Sequence, residues 1–417
     1  MSKSETEYAT PGEDFPLPKW AEELRRRYLS GESSIFLLHG PAVWDLLRWG
    51  DEYIPLPTFL KRFFERTRDY ILQYDHSQGL RLAEGAAQEA FVDLINASRQ
   101  MSGNLDRLGL LPRETGASLA LIEEALLLPN TRGAVILEYA ETVLPESNVG
   151  FMSGEDRTNL VRLQRWTSDP RLLRSDNLVV LIAENLKEVH QKLVSSPQLA
   201  IIEVDLPSET ERLHYLELLS ERYEKLDPPP SRLAPITAGL SRQHLEGIYR
   251  EAFQSQIPVD FNLIRQRKKD IIEHECFGLI EIVETRHDFT HVGGMDQVKQ
   301  VLTRVAKSIR AGERDRVPMG VLLVGPMGTG KSFLAEAFAT TSGLTCIKLK
   351  NIRGSLVGHT AANLERVLGV IKAMGYVLVI IDEGDRAIGG GNSSNTDGGV
   401  DSRVIARLKE FMSDTTH

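Results

Sequence analysis

The sequence predicts an α/β fold, with parallel sheets flanked by helices in two tandem units and a helical segment between them. Three observations predict it. Val321-Leu322-Leu323-Val324 runs into Gly325-Pro326-Met327-Gly328-Thr329-Gly330-Lys331-Ser332, a complete G-x-x-x-x-G-K-[ST] phosphate-binding loop, and Phe333-Leu334-Ala335-Glu336-Ala337-Phe338-Ala339 then reads as a helix. Further on, Val377-Leu378-Val379-Ile380-Ile381 is a β-branched run that ends in Asp382-Glu383. The first half repeats this order of short apolar runs, at Ile35-Phe36-Leu37-Leu38, Ala134-Val135-Ile136-Leu137, Leu178-Val179-Val180-Leu181-Ile182 and Leu199-Ala200-Ile201-Ile202. Such continuous runs suit strands covered on both faces.

Residues 321–324 are expected to form a buried strand that feeds the loop. The glycines let the backbone fold into a nest whose N–H groups point at phosphates, where a Cβ would block the approach. Lys331 is expected to meet the β and γ phosphates and Ser332 to offer its hydroxyl to Mg²⁺, with the helix N-terminus facing the anion. Pro326, Met327, Gly328, Thr329, Gly330 and Phe333 complete the predicted nucleotide contacts. The run at 377–381 ends where open α/β sheets present ligands. Asp382 is therefore expected beside the Mg²⁺, and Glu383 as the general base that polarises a water in line with the γ-phosphate. Taken alone, the two acids would read as a capped strand end; together with the loop they point to phosphoryl transfer to water.

Composition bounds the alternatives. The 417 residues suggest two or three domains, and 41% hydrophobic with 26% charged residues is ordinary for globular chains. No apolar run is long enough to span a membrane, and the N-terminus Met1-Ser2-Lys3-Ser4-Glu5 carries no visible secretory signal. The two cysteines, Cys276 and Cys346, are too few for a disulfide framework or a zinc site, and a reducing, cytoplasmic setting is the simplest expectation. Cys346 reads as a small buried hydrophobe. The formal net charge of −9 argues against a general nucleic-acid coat.

Between the halves, Asp227-Pro228-Pro229-Pro230 breaks the chain, and Ser241 is expected to cap a helix through Leu245-Glu246. The basic runs Arg265-Gln266-Arg267-Lys268-Lys269 and Arg25-Arg26-Arg27 read as solvated helix faces. His274-Glu275 opens a zinc-protease motif that Gly278 and Leu279 leave incomplete.

These motifs and their flanks resemble the AAA family of P-loop ATPases. Phe289-Thr290-His291-Val292-Gly293-Gly294-Met295 with Val298-Lys299 is similar to the family's opening segment, which gives Val292 and Gly294 an expected role beside the adenine ring. Gly354-Ser355-Leu356-Val357-Gly358-His359-Thr360 with Asn363-Leu364 resembles the pore-loop segment, with Leu356 where the family carries an aromatic residue. Val377 to Glu383 resembles the family's Walker B element, Asp385 matches a second acid after it, Gly384 replaces a bulky residue, and Arg403-Val404-Ile405 with Leu408 resumes a helix beyond a Gly, Ser and Asn loop at 389–399. In the first half, His39-Gly40-Pro41 lacks the lysine, and Glu138-Tyr139 stands in the Walker B place. Asn185 follows a sensor-like strand, and Glu211-Arg212 opens the helix after the last core strand. The resemblance divides the chain into an N-terminal segment (1–30), a degenerate unit (31–215), a helical lid and linker (216–280) and a second core (281–417).

The resemblance implies a Mg·ATP-dependent ATPase that acts as a homo-oligomeric ring, by analogy a hexamer, remodelling a protein client while the first unit serves a structural role. The sensor strand, arginine-finger helix and lid of a full unit do not follow Glu383 before His417, so the chain is expected to be a fragment. The degenerate unit, lid and intact unit also resemble, loosely, a two-tier AAA family of cyanobacteria and plastids. Two other readings stay open: a nucleotide-binding scaffold with little turnover, and a nucleic-acid remodeller that uses the basic runs.

Overall fold

The computed structural model describes residues 16–82, 91, 95, 111–148, 150–223, 228–311, 313–326, 328–350, 360–381 and 410–411. The chain folds as two compact units, Met1–Asp205 and Leu206–His417. No described helix is long and apolar enough to cross a membrane.

Among its described residues, the first unit is built on a six-stranded sheet made of β1 (Ile35–His39), β4 (Tyr70–Asp75), β5 (Gly79–Leu82), β6 (Gly133–Leu137), β7 (Leu178–Ala183) and β8 (Leu199–Glu203). The order is β5-β4-β6-β7-β1-β8, and β5 is antiparallel to its neighbour while the other pairings are parallel. Ile35 to Leu38 are all buried because β1 lies between β7 and β8, with helices over the sheet faces. The four apolar runs of the first half are thus β1, β6, β7 and β8. One core joins β4, β6 and β7 to Leu119 and Ile122 of the helix Thr115–Leu126, and to Leu160, Leu163 and Trp166 of the helix Gly154–Ser168. Ser153 and Asp156 form a capping box at the start of the latter helix. A hairpin absent from the sequence expectation, β2 (Leu46–Trp49) with β3 (Glu52–Pro55), turns at Gly50, whose φ of 63° lies in the left-handed region.

The second unit begins with four helices among its described residues: Glu209–Arg222, Pro230–Ile236, Arg242–Gln254 and Phe261–Glu275. Ser241 caps the third as expected, in a capping box with His244. Buried Arg212 ties the first two helices together by donating to the carbonyls of Pro207 and Ala234 and to Thr237 Oγ1. The basic run at 265–269 departs from a purely solvated face. Lys268 turns inward and donates to the Ile236 carbonyl at 3.0 Å, and burial, aided by Arg212, brings its ammonium down to about 8.

Two left-handed residues, Phe277 (φ 53°) and Gly278 (φ 68°), then turn the chain into β9 (Ile280–Val283). This strand pairs antiparallel with β10 (Thr345–Leu349), and β10 runs parallel to β11 (Val377–Ile381). The apolar run at 377–381 is therefore a parallel strand, and Cys346 is buried within β10.

The expected buried strand at 321–324 is corrected by the structure. These residues form no strand; Leu322 is 70% and Val324 85% exposed, and only Leu323 packs inward. The reason is a matter of neighbours. A central strand needs partners for its N–H and C=O groups on both sides, as β1 has in β7 and β8, whereas among the described residues no strand lies beside 321–324.

Candidate functional site

The phosphate loop opens directly into the helix Lys331–Ser342. Gly328 and Gly330 hold φ of 77° and 81°, which a side chain rarely adopts, and Gly330 caps the helix through its carbonyl, which accepts from Leu334 N–H. Thr329 Oγ1 donates to the Pro326 carbonyl at 2.9 Å and braces the turn. Lys331 Nζ curls over the loop and donates to the carbonyls of Gly325 and Pro326, both at 2.7 Å. A Cβ added to Gly328 would meet nothing within 4 Å, while one on Gly325 would reach into the cradle, 3.5 Å from Thr329 Oγ1 and 4.0 Å from Lys331 Cδ. An open concavity, an ammonium on a mobile stem, the exposed Ser332 and a helix N-terminus fit a polyphosphate with its divalent cation.

The opening segment is packed against this helix. Val292 is buried with Leu334, Ala337 and Phe338; Phe289 stacks on Phe338 with ring centroids 6.3 Å apart, and Phe289 N–H donates to Thr341 Oγ1. Gly294 (φ 67°) and Met295 (φ 52°) are consecutive left-handed residues, and the Met295 methyl lies 4.0 Å from where a Gly330 Cβ would stand. His287 lies 5.6 Å from the ring of Phe333. Val292 is thus packed on the phosphate-loop helix, and Met295, next to Gly294, lies beside Gly330, though the two segments are far apart in sequence. Lys299, not singled out as a contact by its sequence pattern, donates to the Val292 carbonyl at 2.9 Å.

β11 packs Leu378 and Ile380 beside Ala339 and Cys346, so the strand runs along the phosphate-loop helix. Asp382 and Glu383 follow its last residue and lie outside the described residues, as do Met327, the pore-loop residues 354–359, and Gly384, Asp385 and the segment through Leu408. Asn363 and Leu364 lie in the helix Thr360–Met374. His274 and Glu275 end a helix, and no cluster of three or more metal-ligating side chains occurs among the described residues.

In the first unit the corresponding loop is closed. Gly40 N–H donates to the Glu184 carbonyl, Ala42 N–H to Val204 and Asp45 N–H to Ala42, so groups that would meet a phosphate already have partners. Gly40 has φ of 126°, and a Cβ there would lie 2.7 Å from the Val204 oxygen. Trp44 stacks on Tyr139 at 4.2 Å, and Tyr139 itself is left-handed at φ 55°. Sequence reasoning missed this pairing because the two rings come from distant loops. Arg81 bridges Asp75 at 2.7 Å and Glu138 at 3.0 Å. Burial raises the carboxyl of Glu138 while Arg81 opposes the shift. Asp75 stays below its ordinary range: burial pushes it up, but hydrogen bonds from Ser77 and Gln78, with Arg81, outweigh that. A guanidinium thus holds Glu138, the acid expected from the sequence in the place of a metal ligand.

Comparisons with known proteins match three stretches of the chain. Residues 10–205 match the family described as AAA+ chaperone, N-terminal Rossmann-like domain; residues 210–277 match the AAA+ chaperone second helical domain; and residues 321–417 match the ATPase family associated with various cellular activities (AAA). The uncharacterized AAA domain-containing protein ycf46 of Trieres chinensis is 28% identical over 306 residues, 65% of this chain and 61% of that protein. Its namesake in Guillardia theta is 26% identical over 253 residues, 58% of this chain and 49% of that protein. ATP-dependent zinc metalloprotease FtsH 3 of Synechocystis sp. is 35% identical over 130 residues, 29% of this chain and 20% of that protein. The chain therefore spans less than two thirds of the length of these relatives. A parallel α/β unit with a closed loop, a helical segment and an open phosphate loop, each under its own family match, make this chain a tandem member of the AAA+ family.

Proposed function

We propose that the second unit binds Mg·ATP and hydrolyses it to ADP and phosphate, as the motor of a homo-oligomeric ring that remodels a protein or complex in a reducing, cytoplasmic setting. The observation that carries this reading is the open loop, in which left-handed Gly328 and Gly330 run into the helix that starts at Lys331. Bound Mg·ATP supplies the transferable γ-phosphoryl group and a divalent charge that offsets the phosphates. Lys331 exchanges its two loop carbonyls for phosphate oxygens, a charge-assisted replacement for neutral hydrogen bonds. Ser332 and Asp382 would hold the cation, and Glu383 would take a proton from the attacking water. Val292 and Gly294 border the base, and Phe333 closes the adjoining side.

An arginine finger from a neighbouring subunit is worth about 10³ to 10⁵ in rate, so isolated chains turn over slowly and assembly raises the rate. The first unit supports the ring without binding nucleotide. Its closed loop and the Arg81 bridge support that role. Both buried thiols suit a reducing compartment, Cys276 being pushed up to about 12 and Cys346 to about 11, chiefly by burial.

Nucleotide titration and phosphate release test the reading. Lys331→Ala is expected to weaken ATP binding about 100-fold or more, and Glu383→Gln to keep binding while hydrolysis falls about 10²-fold or more. Unchanged affinity in Lys331→Ala would remove the phosphate-loop assignment. Tight binding with negligible turnover in the native chain at every concentration would favour a nucleotide-binding scaffold.

A further inference from the structure

The helix Gly154–Ser168 of the first unit turns Leu160, Leu163 and Trp166 inward, and Asn159 donates to the Val143 carbonyl on the same side. Its outward face carries Arg157, Val161 and Arg165, which at four-residue spacing form one stripe. With Thr158 and Arg162 they line a shallow groove of about 340 Å³. Val161 is 54% exposed, and Phe151, just before the helix, is 90% exposed. Arg162 and Arg165 share Glu123, while Arg157 donates to the Gly150 carbonyl at 3.4 Å. In a chain of net charge −9 this is a positive surface with exposed apolar groups, and arginine beside such groups is the composition that marks interfaces.

The opposite charge lies elsewhere on the same unit, where the sheet strands end. Glu138 follows β6 and Glu184 follows β7. Glu146 N–H donates to the Glu188 carbonyl, and Pro145 pairs with Val189, so the segments after these two strands run side by side. Tyr139, 42% exposed, stands among these acids: after burial, Glu138, Asp75, Glu141 and Glu184 raise its hydroxyl. Burial, Glu188 and Glu184 likewise raise the carboxyl of Glu141. Arg81, bound to Asp75 and Glu138, and exposed Lys187 offset this charge in part. Among the described residues, none of the three arginines of the stripe is a charge that acts on Glu138, Tyr139 or Glu141. The stripe and the acidic rim are thus separate faces of one unit.

We propose that the arginine stripe docks on the acidic rim of the first unit of a second copy of this chain. The inference rests on the ring reading and gives the unit with the closed loop a binding task of its own. Because the two faces differ, the contact is head-to-tail, and repeated by rotation it closes into a ring. Opposite charges orient the encounter, Val161 leaves water at the contact, and Tyr139 offers an arginine an aromatic ring.

The test uses the full chain with Mg·ATP and reads oligomer size by sedimentation velocity over a concentration series, with tryptophan fluorescence to check that the first unit is folded. Arg157→Glu with Arg165→Glu, and separately Glu146→Lys with Glu188→Lys, are each expected to weaken self-association about 100-fold, because like charges then face each other. An equimolar mixture of the two variants is expected to assemble as wild type does, since every junction again pairs opposite charges. Raising salt from about 50 mM to about 500 mM should weaken wild-type assembly about 10-fold, a readout that needs no variant. Wild type that assembles regardless of salt, variants that assemble as wild type does, or a mixture that stays apart would overturn this contact and leave the ring reading standing. Chains that remain monomeric at every concentration would remove both. Unchanged assembly of the arginine variant with loss of binding to a fluorescent RNA oligomer would assign the stripe to nucleic acid instead, and the proposal would fall.

Discussion

Gly40 and Gly328 are left-handed glycines in corresponding loops of the two units, and a methyl group tells them apart. On Gly40 it would run into the Val204 oxygen at 2.7 Å; on Gly328 it would meet open space. The first loop has its N–H groups bonded to the protein and its rim closed by the Trp44–Tyr139 stack. The second keeps its concavity open, with Lys331 resting on loop carbonyls. A loop that must accept an anion cannot also satisfy itself, so the binding unit gives up local stability that a ligand later restores by mass action. The closed unit needs no ligand to reach full order.

The largest effect that would sharpen this contrast is expected from the glycines themselves. Gly40→Ala should destabilise the first unit by about 3 kcal/mol, through both the clash and the positive φ, whereas Gly328→Ala should leave that unit untouched and lower ATP affinity about 10-fold or more. All four tryptophans, Trp20, Trp44, Trp49 and Trp166, belong to the first unit, so tryptophan fluorescence during unfolding reads it alone. Equal unfolding midpoints for wild type and Gly40→Ala would break the comparison.

A smaller effect is expected from Glu141, whose Oε2 is buried without a hydrogen-bond partner. Burial, with Glu188 and Glu184 nearby, raises its carboxyl to about 7 from an ordinary 4.5. Between those values the folded state holds a proton that the unfolded state has released, so stability falls as pH rises from 4.5 to 7. Glu141→Gln should flatten that slope and stabilise the first unit at pH 8 by about 1–2 kcal/mol, read by the same fluorescence across a pH series. An unaltered slope would assign the titration elsewhere. The smallest effect is that of Tyr139→Leu, which removes the stack over the closed loop and should cost about 0.5–1 kcal/mol. If the variant also gained ATP binding in the first unit, the stack would prove to be the barrier to nucleotide there.

Much of this architecture was legible because it rests on local signals. Apolar runs of four or five residues marked β1, β6, β7 and β8, since strands covered on both faces need no alternation. The loop and its helix were legible because glycine positions and Lys331 follow from backbone geometry. Residues 321–324 show the limit: their composition is that of a buried strand, but pairing is decided by neighbours elsewhere in the chain. β9 went unread because Ile280-Glu281-Ile282-Val283 is too short to separate from a linker until it meets β10. The Lys299 strap and the Arg81 bridge depend on side chains converging from separate elements, which spacing alone does not reveal.

β9 also changes what the join between the helical segment and the second core can do mechanically. Four residue pairs, from Cys346 with Val283 to Leu349 with Ile280, and the bond from Lys350 N–H to the Leu279 carbonyl, fasten it along the sheet edge. A free linker would absorb the first few ångströms of any displacement as slack. This one has none to give: a pull along the strand loads its hydrogen bonds side by side, and the helix Phe261–Glu275 and β10 shift together or the seam opens as a whole.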